Sequence, residues 1–348
     1  MHKYGLIGCG RISYKHVQAH VDNYPNSILV ACVDPVIENA KEKAQQYVDL
    51  MKEKHQEDVE VNVYSSYDEM FLAEKIHSVS IATESGYHYK HVLDSLANDC
   101  HVIVEKPMAL SIAHCDEMIE EAKKRNLKLA ICHQNRFNPP IKKLKDAIDE
   151  GRFGKIFAGN ARILWNRDIN YYKQAPWRGT YAMDGGCLMN QCIHNIDLLQ
   201  WMIGGNITKI NSLIENYNHS YIQAEDYGSI QIKFDNKAIG NIEGTVAVYP
   251  TNLEETLTIL GEKGTVVIGG LAVNEIKTWD FEDKKDSLDI VKKQTLSDID
   301  NVYGNGHSEL FKDFIESVSN NNPPAIPGEE GKKAVEIILT AYNQNGRK

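Results

Sequence analysis

At 348 residues, with 42% apolar and 25% charged side chains, the chain can bury two separate cores, and its composition excludes fibrous and disordered classes. A formal net charge of −10 argues against a nucleic-acid-binding surface, while leaving room for a local basic pocket around a phosphorylated ligand. Seven cysteines without a C-x-x-C pair, no apolar run of membrane-spanning length and no room for a signal peptide before Gly5 point to a cytoplasmic protein with reduced thiols.

Residues 4–7 form a short apolar strand that runs into Gly8-Cys9-Gly10-Arg11-Ile12-Ser13, which opens a helix over 12–21. A strand, a Gly-x-Gly turn and a helix N-terminus make a cradle for a pyrophosphate, with Gly8 making the turn and Gly10 letting the backbone approach. Ser13 stands where the pattern usually has Gly or Ala, and is still small enough for close packing. A second strand over 28–33 ends in Asp34, which lies 34 − 10 = 24 residues beyond the second glycine. This is where a dinucleotide-binding fold places the acid that takes the adenosine ribose hydroxyls, so NAD is expected over NADP.

Further apolar runs at 61–64, 79–82, 101–104 and 127–132 read as buried parallel strands. Helical patterns lie between them at 38–51, 67–73, 89–97 and 112–125, the last with Ser111 as N-cap. Residues 45–60 read as an extended helix plus a surface loop. The alternation predicts an α/β, doubly wound Rossmann domain of strand order 3-2-1-4-5-6 over residues 1–134. After Gln134 the pattern changes. A helix (140–149), a strand (156–165), an aromatic loop and a helix (186–202) precede strands at 209–216, 227–234, 238–248, 255–260 and 265–268. Short turns at 235–237 and 261–264 imply a mostly antiparallel open sheet, hence an α+β second domain over 135–348. Two final helices, 308–318 and 330–342, flank the proline-rich joint 321–327, and the C-terminal helix is free to pack back on the first domain.

Glu105-Lys106-Pro107 follows the fifth strand, so Lys106 is delivered to the strand-end rim where ligands of doubly wound sheets lie. The same tripeptide would also serve as a plain surface turn. A lysine at the rim suits proton transfer at a reacting hydroxyl. On the 186–202 helix, Asn190, His194 and Asp197 stand at i, i+4 and i+7 as one polar stripe beside Met189, Ile193, Ile196 and Leu199. His194 is the side chain best suited to taking a proton near neutral pH. His133 to Pro139 ends the sixth strand, and its amides and Arg136 offer contacts for a ribose and an anion, or equally serve as polar caps in a domain linker. The loop 171–180, with Tyr172, Trp177 and Arg178, suits stacking on a sugar or base and pairing with phosphate, or equally a subunit interface. Arg11, Ile12, Thr83, His88, Glu105, Lys106, Gln134, Asn135, Trp177 and Arg178 complete the candidate cofactor-binding set. Candidate substrate-binding residues are Lys106, Arg136, Asn138, Tyr172, Arg178, Asn190, His194 and His307, the last from the segment Tyr303-Gly304-Asn305-Gly306-His307. No metal is expected, because Cys187 and Cys192 lack partners at zinc spacing.

Taken in order, Gly8-x-Gly10, Glu105-Lys106-Pro107, the segment 134–139 and Gly185-Gly186…His194-x-x-Asp197 resemble the glucose-fructose oxidoreductase / inositol dehydrogenase / MocA family. The resemblance implies NAD(P)-dependent oxidation of a sugar or cyclitol hydroxyl to a ketone, with Lys106 and His194 as the catalytic pair. It also implies homo-oligomers, dimers or tetramers, formed through the open sheet. Many members carry Asp where this chain has Asn190, which leaves His194 or Lys106 as base. Within the family, the segments 135–140, 177–180 and 189–195 look most like nucleotide-sugar 3-dehydrogenases acting on UDP-N-acetylglucosamine or its uronic acid in surface-polysaccharide synthesis. The alternatives are an inositol or free-sugar dehydrogenase and a dinucleotide-sensing regulatory protein.

Overall fold

A computed structural model describes residues 2–270, 272–296, 304 and 306–347. The first unit comprises Met1–His133 and His307–Lys332, the second Gln134–Gly306 and Lys333–Lys348. In the first unit the chain alternates β1 (His2–Ile7), α1 (Ser13–Asp22), β2 (Ser27–Val33), α2 (Ile37–His55), β3 (Asn62–Tyr64) and α3 (Tyr67–Ala73). It continues with β4 (Ser78–Ile81), α4 (His88–Ala97), β5 (His101–Val104), α5 (Ile112–Lys124) and β6 (Leu129–Ile131). The strands form one parallel sheet of order β3-β2-β1-β4-β5-β6, as the alternation predicts.

Leu6, Leu29, Ala31, Val79, Ile81, Val102, Ile103 and Val104 are fully buried, the signature of strands covered by helices on both faces. The α2 helix buries Ala40, Ala44, Tyr47 and Met51, one stripe at helical spacing, and runs to His55 before Gln56 closes it in the left-handed region (φ 59°). Ser66 and Ser111 cap α3 and α5 by accepting from Asp68 N–H and His114 N–H.

His2, His77 and His101 gather at the opposite edge of the sheet from the strand ends. The His2 ring lies 4.9 Å from that of His77 and 6.2 Å from that of His101, and its Nε2 meets Ser78 Oγ at 2.7 Å. Burial and the other two rings push the His2 pKa down to about 4, and burial lowers His77 and His101 as well. A depressed pKa means that the folded state binds fewer protons than the unfolded chain. The stability these groups contribute is therefore present above their ordinary value of 6.5 and lost as pH falls toward about 4. We expect the melting temperature to fall across that window and His77→Gln to flatten the slope; parallel slopes in wild type and variant would refute the assignment.

The second unit opens with α6 (Pro139–Asp149), β7 (Ile156–Leu164), α7 (Ile169–Lys173), a π-helical turn at Leu188–Cys192 and α8 (Ile193–Ile203). Then come β8 (Ile207–Glu215), β9 (Tyr227–Phe234), β10 (Ile239–Thr245), β11 (Glu254–Gly261), β12 (Gly264–Gly269), β13 (Glu275–Phe281) and α9 (Leu288–Gln294). The sheet runs β13-β12-β11-β7-β10-β9-β8 and is antiparallel except where β7 meets β10. Strand β13 is absent from the sequence expectation because a register shift against β12 breaks its alternation. The expected regular helix from 186 is also corrected. Its first part is a π turn, a feature frequent at functional sites. Glycines seat this helix on the sheet: a Cβ at Gly159 would meet Leu199 Cδ1 at 2.8 Å, and one at Gly244 would meet Cys192 Sγ at 2.5 Å. Two further helices close the chain, α10 (Gly306–Ser319) and α11 (Gly328–Gln344).

Candidate active site

In the first unit the candidate residues lie on the loops that leave the carboxyl ends of β1, β2, β4 and β5. Gly8 has φ +91°, and a Cβ there would sit 2.7 Å from the Thr83 nitrogen, so only glycine lets the first turn pack on the β4 loop. Nothing lies within 4 Å of a Cβ built on Gly10, which leaves open space above the turn. The α1 helix has no side-chain cap and no acidic residue in its first turn. The positive end of its dipole has the sign that an anionic group such as a pyrophosphate requires.

Asp34 is tied into the backbone around it. Its Oδ2 accepts the Cys9 N–H at 2.9 Å, and its Oδ1 accepts from Val36 N–H at 2.9 Å and Asn39 Nδ2 at 3.1 Å. The acid thus fixes the glycine turn as well as presenting negative charge after β2. We expect NAD(H) to bind more tightly than NADP(H) in parallel titrations, because Asp34 repels a 2′-phosphate; a preference for NADP(H) would overturn that role.

Thr83 and His88 follow β4. The buried His88 ring faces two carbonyls, with Nδ1 2.7 Å from Pro107 O and Nε2 3.1 Å from Thr83 O. It therefore braces the loop after β4 against the turn that carries Lys106, which is itself half-buried. Glu105 and His307 depart from their expected roles. Glu105 is 5% exposed and His307 1%, and His307 Nε2 lies 3.0 Å from Glu105 Oε1. Both side chains are turned into the core of this unit, where they hold each other. Tyr303 and Asn305 lie outside the described residues.

In the second unit, Gln134 Nε2 lies 3.4 Å from Nε2 of the half-buried His194, so these two are brought together at the start of α8. Arg136 is a correction. Its Nε and Nη2 donate to Asp197 at 2.8 and 2.6 Å, both residues are buried, and the guanidinium stacks 4.6 Å from the Trp201 ring. The expected anion-binding arginine is committed to Asp197, the third member of the expected polar stripe. Asn138 is likewise buried, donating to Ala272 O at 2.8 Å. Asn135 is buried beside it and accepts the Asn138 N–H through its carbonyl.

Arg178 is held differently. It donates to Tyr171 OH at 2.5 Å and lies over the Tyr171 and Trp177 rings at 4.3 and 4.7 Å. Its Nε is buried without a hydrogen-bond partner among the described residues. Tyr172 and Asn190 line one crevice with Tyr171, Asp184 and Gln191. The Asn190 amide donates to Asp184 Oδ1, whose other oxygen accepts the Gly179 N–H at 2.7 Å. Asp184 is not among the expected site residues, although it stands immediately before the Gly-Gly pair.

Glu225 was also missed. It is fully buried, accepts the Leu188 N–H at 2.9 Å and lies 2.6 Å from Tyr342 OH, which also reaches Gly185 O at 2.7 Å. Burial pushes its carboxyl up to about 7. These contacts fix the turn that opens the π segment. No sequence pattern marks them, because Glu225 and Tyr342 are far from that turn along the chain.

A model of the oxidoreductase family with an NAD-binding Rossmann fold matches residues 2–133, and a model of the GFO/IDH/MocA C-terminal domain matches residues 141–267. The chain is 26% identical to the myo-inositol 2-dehydrogenase of Thermotoga maritima over 335 residues, covering 95% of this chain and 92% of that one. It resembles the WlbA dehydrogenase of Bordetella pertussis, solved with NADH and UDP-GlcNAcA, at 32% identity and a TM-score of 0.86, over 99% of this chain and 95% of that one. The Chromobacterium violaceum WlbA, solved with the same two ligands, gives 31% identity and a TM-score of 0.84, over 99% and 94%. The glycine turn with its uncapped helix, the acid after β2 and these matches along both units lead to one conclusion: the chain belongs to the GFO/IDH/MocA family and is an NAD-dependent oxidoreductase.

Proposed function

We propose that this enzyme oxidises the 3-hydroxyl of a UDP-N-acetylhexosamine, or of its uronic acid, to a ketone during surface-polysaccharide biosynthesis. The observation that carries this reading is the 32% identity, over 99% of the chain, to an enzyme solved with NADH and UDP-GlcNAcA. The inositol dehydrogenases of Thermotoga maritima and Bacillus subtilis are 26% and 24% identical. They make an inositol or free-sugar dehydrogenase the second reading. Arg178 favours the first, because a neutral cyclitol offers a half-buried guanidinium no anion to pair with.

Bound NAD would supply the hydride acceptor for the carbinol carbon. The work of this chain is to hold the sugar and to manage the hydroxyl proton. Lys106 and His194 are the groups assigned to that proton, one as base and the other as hydrogen-bond partner of the developing carbonyl. Asn190 is assigned to the sugar hydroxyls, and Arg178 pairs with the diphosphate or the uronate. Gln134, Asn135 and Trp177 are assigned to the cofactor. We further assign the enzyme to the cytoplasm as a homodimer or homotetramer, a reading supported by exposed apolar side chains on the open sheet, Phe157, Leu213 and Ile239. The direct test is thermal: with NADH present, UDP-GlcNAcA or UDP-N-acetylglucosamine should raise the melting temperature by several degrees and myo-inositol should not. The reverse pattern would favour the second reading.

A further inference from the structure

We propose that His16, Glu105 and His307 form a buried anionic hub whose task is to position Lys106, and that the two histidines are positioning residues for the reaction. The inference rests on the oxidoreductase role assigned above to Lys106.

All the parts lie in the first unit. Glu105 ends the β5 segment, His16 stands in α1 just after the glycine turn, and His307 stands at the start of α10. Their exposures are 5%, 0% and 1%. Glu105 Oε1 lies 3.1 Å from His16 Nε2 and 3.0 Å from His307 Nε2, while Oε2 accepts the Lys106 N–H at 3.2 Å. Burial opposes ionisation of this carboxyl, but the hydrogen bonds from the two histidines outweigh it and hold it well below the usual carboxylate range.

An ionised carboxylate oxygen only accepts, so both rings must carry their proton on Nε2. Both Nδ1 atoms are buried and have no hydrogen-bond partner among the described residues. A second proton on either ring would thus be buried without an acceptor, which leaves two neutral Nε2–H rings around one negative charge. The same orphaned Nδ1 atoms argue against a metal ion here. A ligating imidazole almost always donates its other N–H to an outer acceptor, and separations of 3.0 and 3.1 Å are ordinary hydrogen-bond lengths.

A buried charge is costly, and here it is spent at one place in the fold. The hub ties together the helix behind the phosphate turn, the segment that delivers Lys106, and α10. On the other side of Lys106, His88 holds the Pro107 carbonyl. The lysine backbone is thereby gripped from both neighbours, and a displacement of about 1 Å at a reacting group can cost on the order of a hundredfold in rate.

The test compares a donor with a shape at each histidine. Glutamine places an amide N–H where Nε2 stands, while leucine fills the space and donates nothing. We expect His307→Gln and His16→Gln to keep kcat within about threefold, and the leucine variants to lose on the order of thirtyfold or more, with KM for NAD changed less than threefold. Nitrogen-15 spectra of the wild-type histidines should show both rings neutral and protonated on Nε2. Equal kcat in the Gln and Leu variants would overturn the proposal, and so would a charged ring, an Nδ1–H ring or a stoichiometric metal ion on these residues. If the leucine variants do not fold, the spectra decide alone. If wild type turns over none of the sugars tested, the proposed function fails instead, and the spectra still judge the hub.

Discussion

Replacing Lys106 with alanine should lower kcat by a factor on the order of a thousand while leaving the dissociation constant for NAD within several-fold. The expectation follows from where the lysine stands. It leaves the strand-end rim directly after β5, its backbone N–H is held by Glu105 and the next carbonyl by His88. In the proposed role this lysine, its backbone gripped on both sides, serves the reacting hydroxyl, and proton transfer by one positioned group contributes about 10²–10⁴-fold. An interaction realised only in the transition state changes kcat and kcat/KM together. Near-normal kcat in Lys106→Ala would remove it from the chemistry, and an equally large loss of NAD affinity would make it a cofactor residue.

Arg178→Ala should raise KM for a UDP-sugar by about tenfold or more, since a charge-assisted hydrogen bond contributes about 1.5–3 kcal/mol. It should barely alter any slow oxidation of a free hexosamine. The guanidinium is presented by two aromatic rings and a tyrosine hydroxyl, with its Nε unspent. Arg136→Ala should behave in a different way. It removes the ion-pair partner of the buried Asp197 carboxylate, and breaking a buried pair costs about 3–5 kcal/mol of stability, so melting temperature falls first and KM is not selectively affected. Equal losses on charged and neutral substrates in Arg178→Ala would assign that arginine to the cofactor or the fold.

The contrast between these two arginines shows where the sequence stops being legible. The parallel sheet could be read because strands buried on both faces, such as residues 101–104, are uninterrupted apolar runs between capped helices, and local patterns carry that information. The glycine turn could be read because its conformational need is local. What could not be read is the partner a polar side chain finds far along the chain. Arg136 and Asp197 are 61 residues apart, Glu105 and His307 are 202 apart, and each pair turns a candidate ligand into a buried anchor. Asn190 likewise finds its partner outside the expected stripe, in Asp184, six residues earlier. The π turn before α8 was illegible for a related reason, since its glycine turn is held by Glu225 and Tyr342 from remote parts of the chain.

The central claim is the identity of the hydroxyl that is oxidised, and a product measurement tests it directly. The purified enzyme would be incubated with NAD and, separately, UDP-GlcNAcA, UDP-N-acetylglucosamine and myo-inositol, each with and without a 2-oxo acid to reoxidise the cofactor. Mass spectrometry would then follow the loss of two hydrogens from each substrate. The account predicts a 3-oxo nucleotide sugar from one or both UDP-sugars and no oxidised inositol. Robust oxidation of inositol with both UDP-sugars unchanged would contradict it.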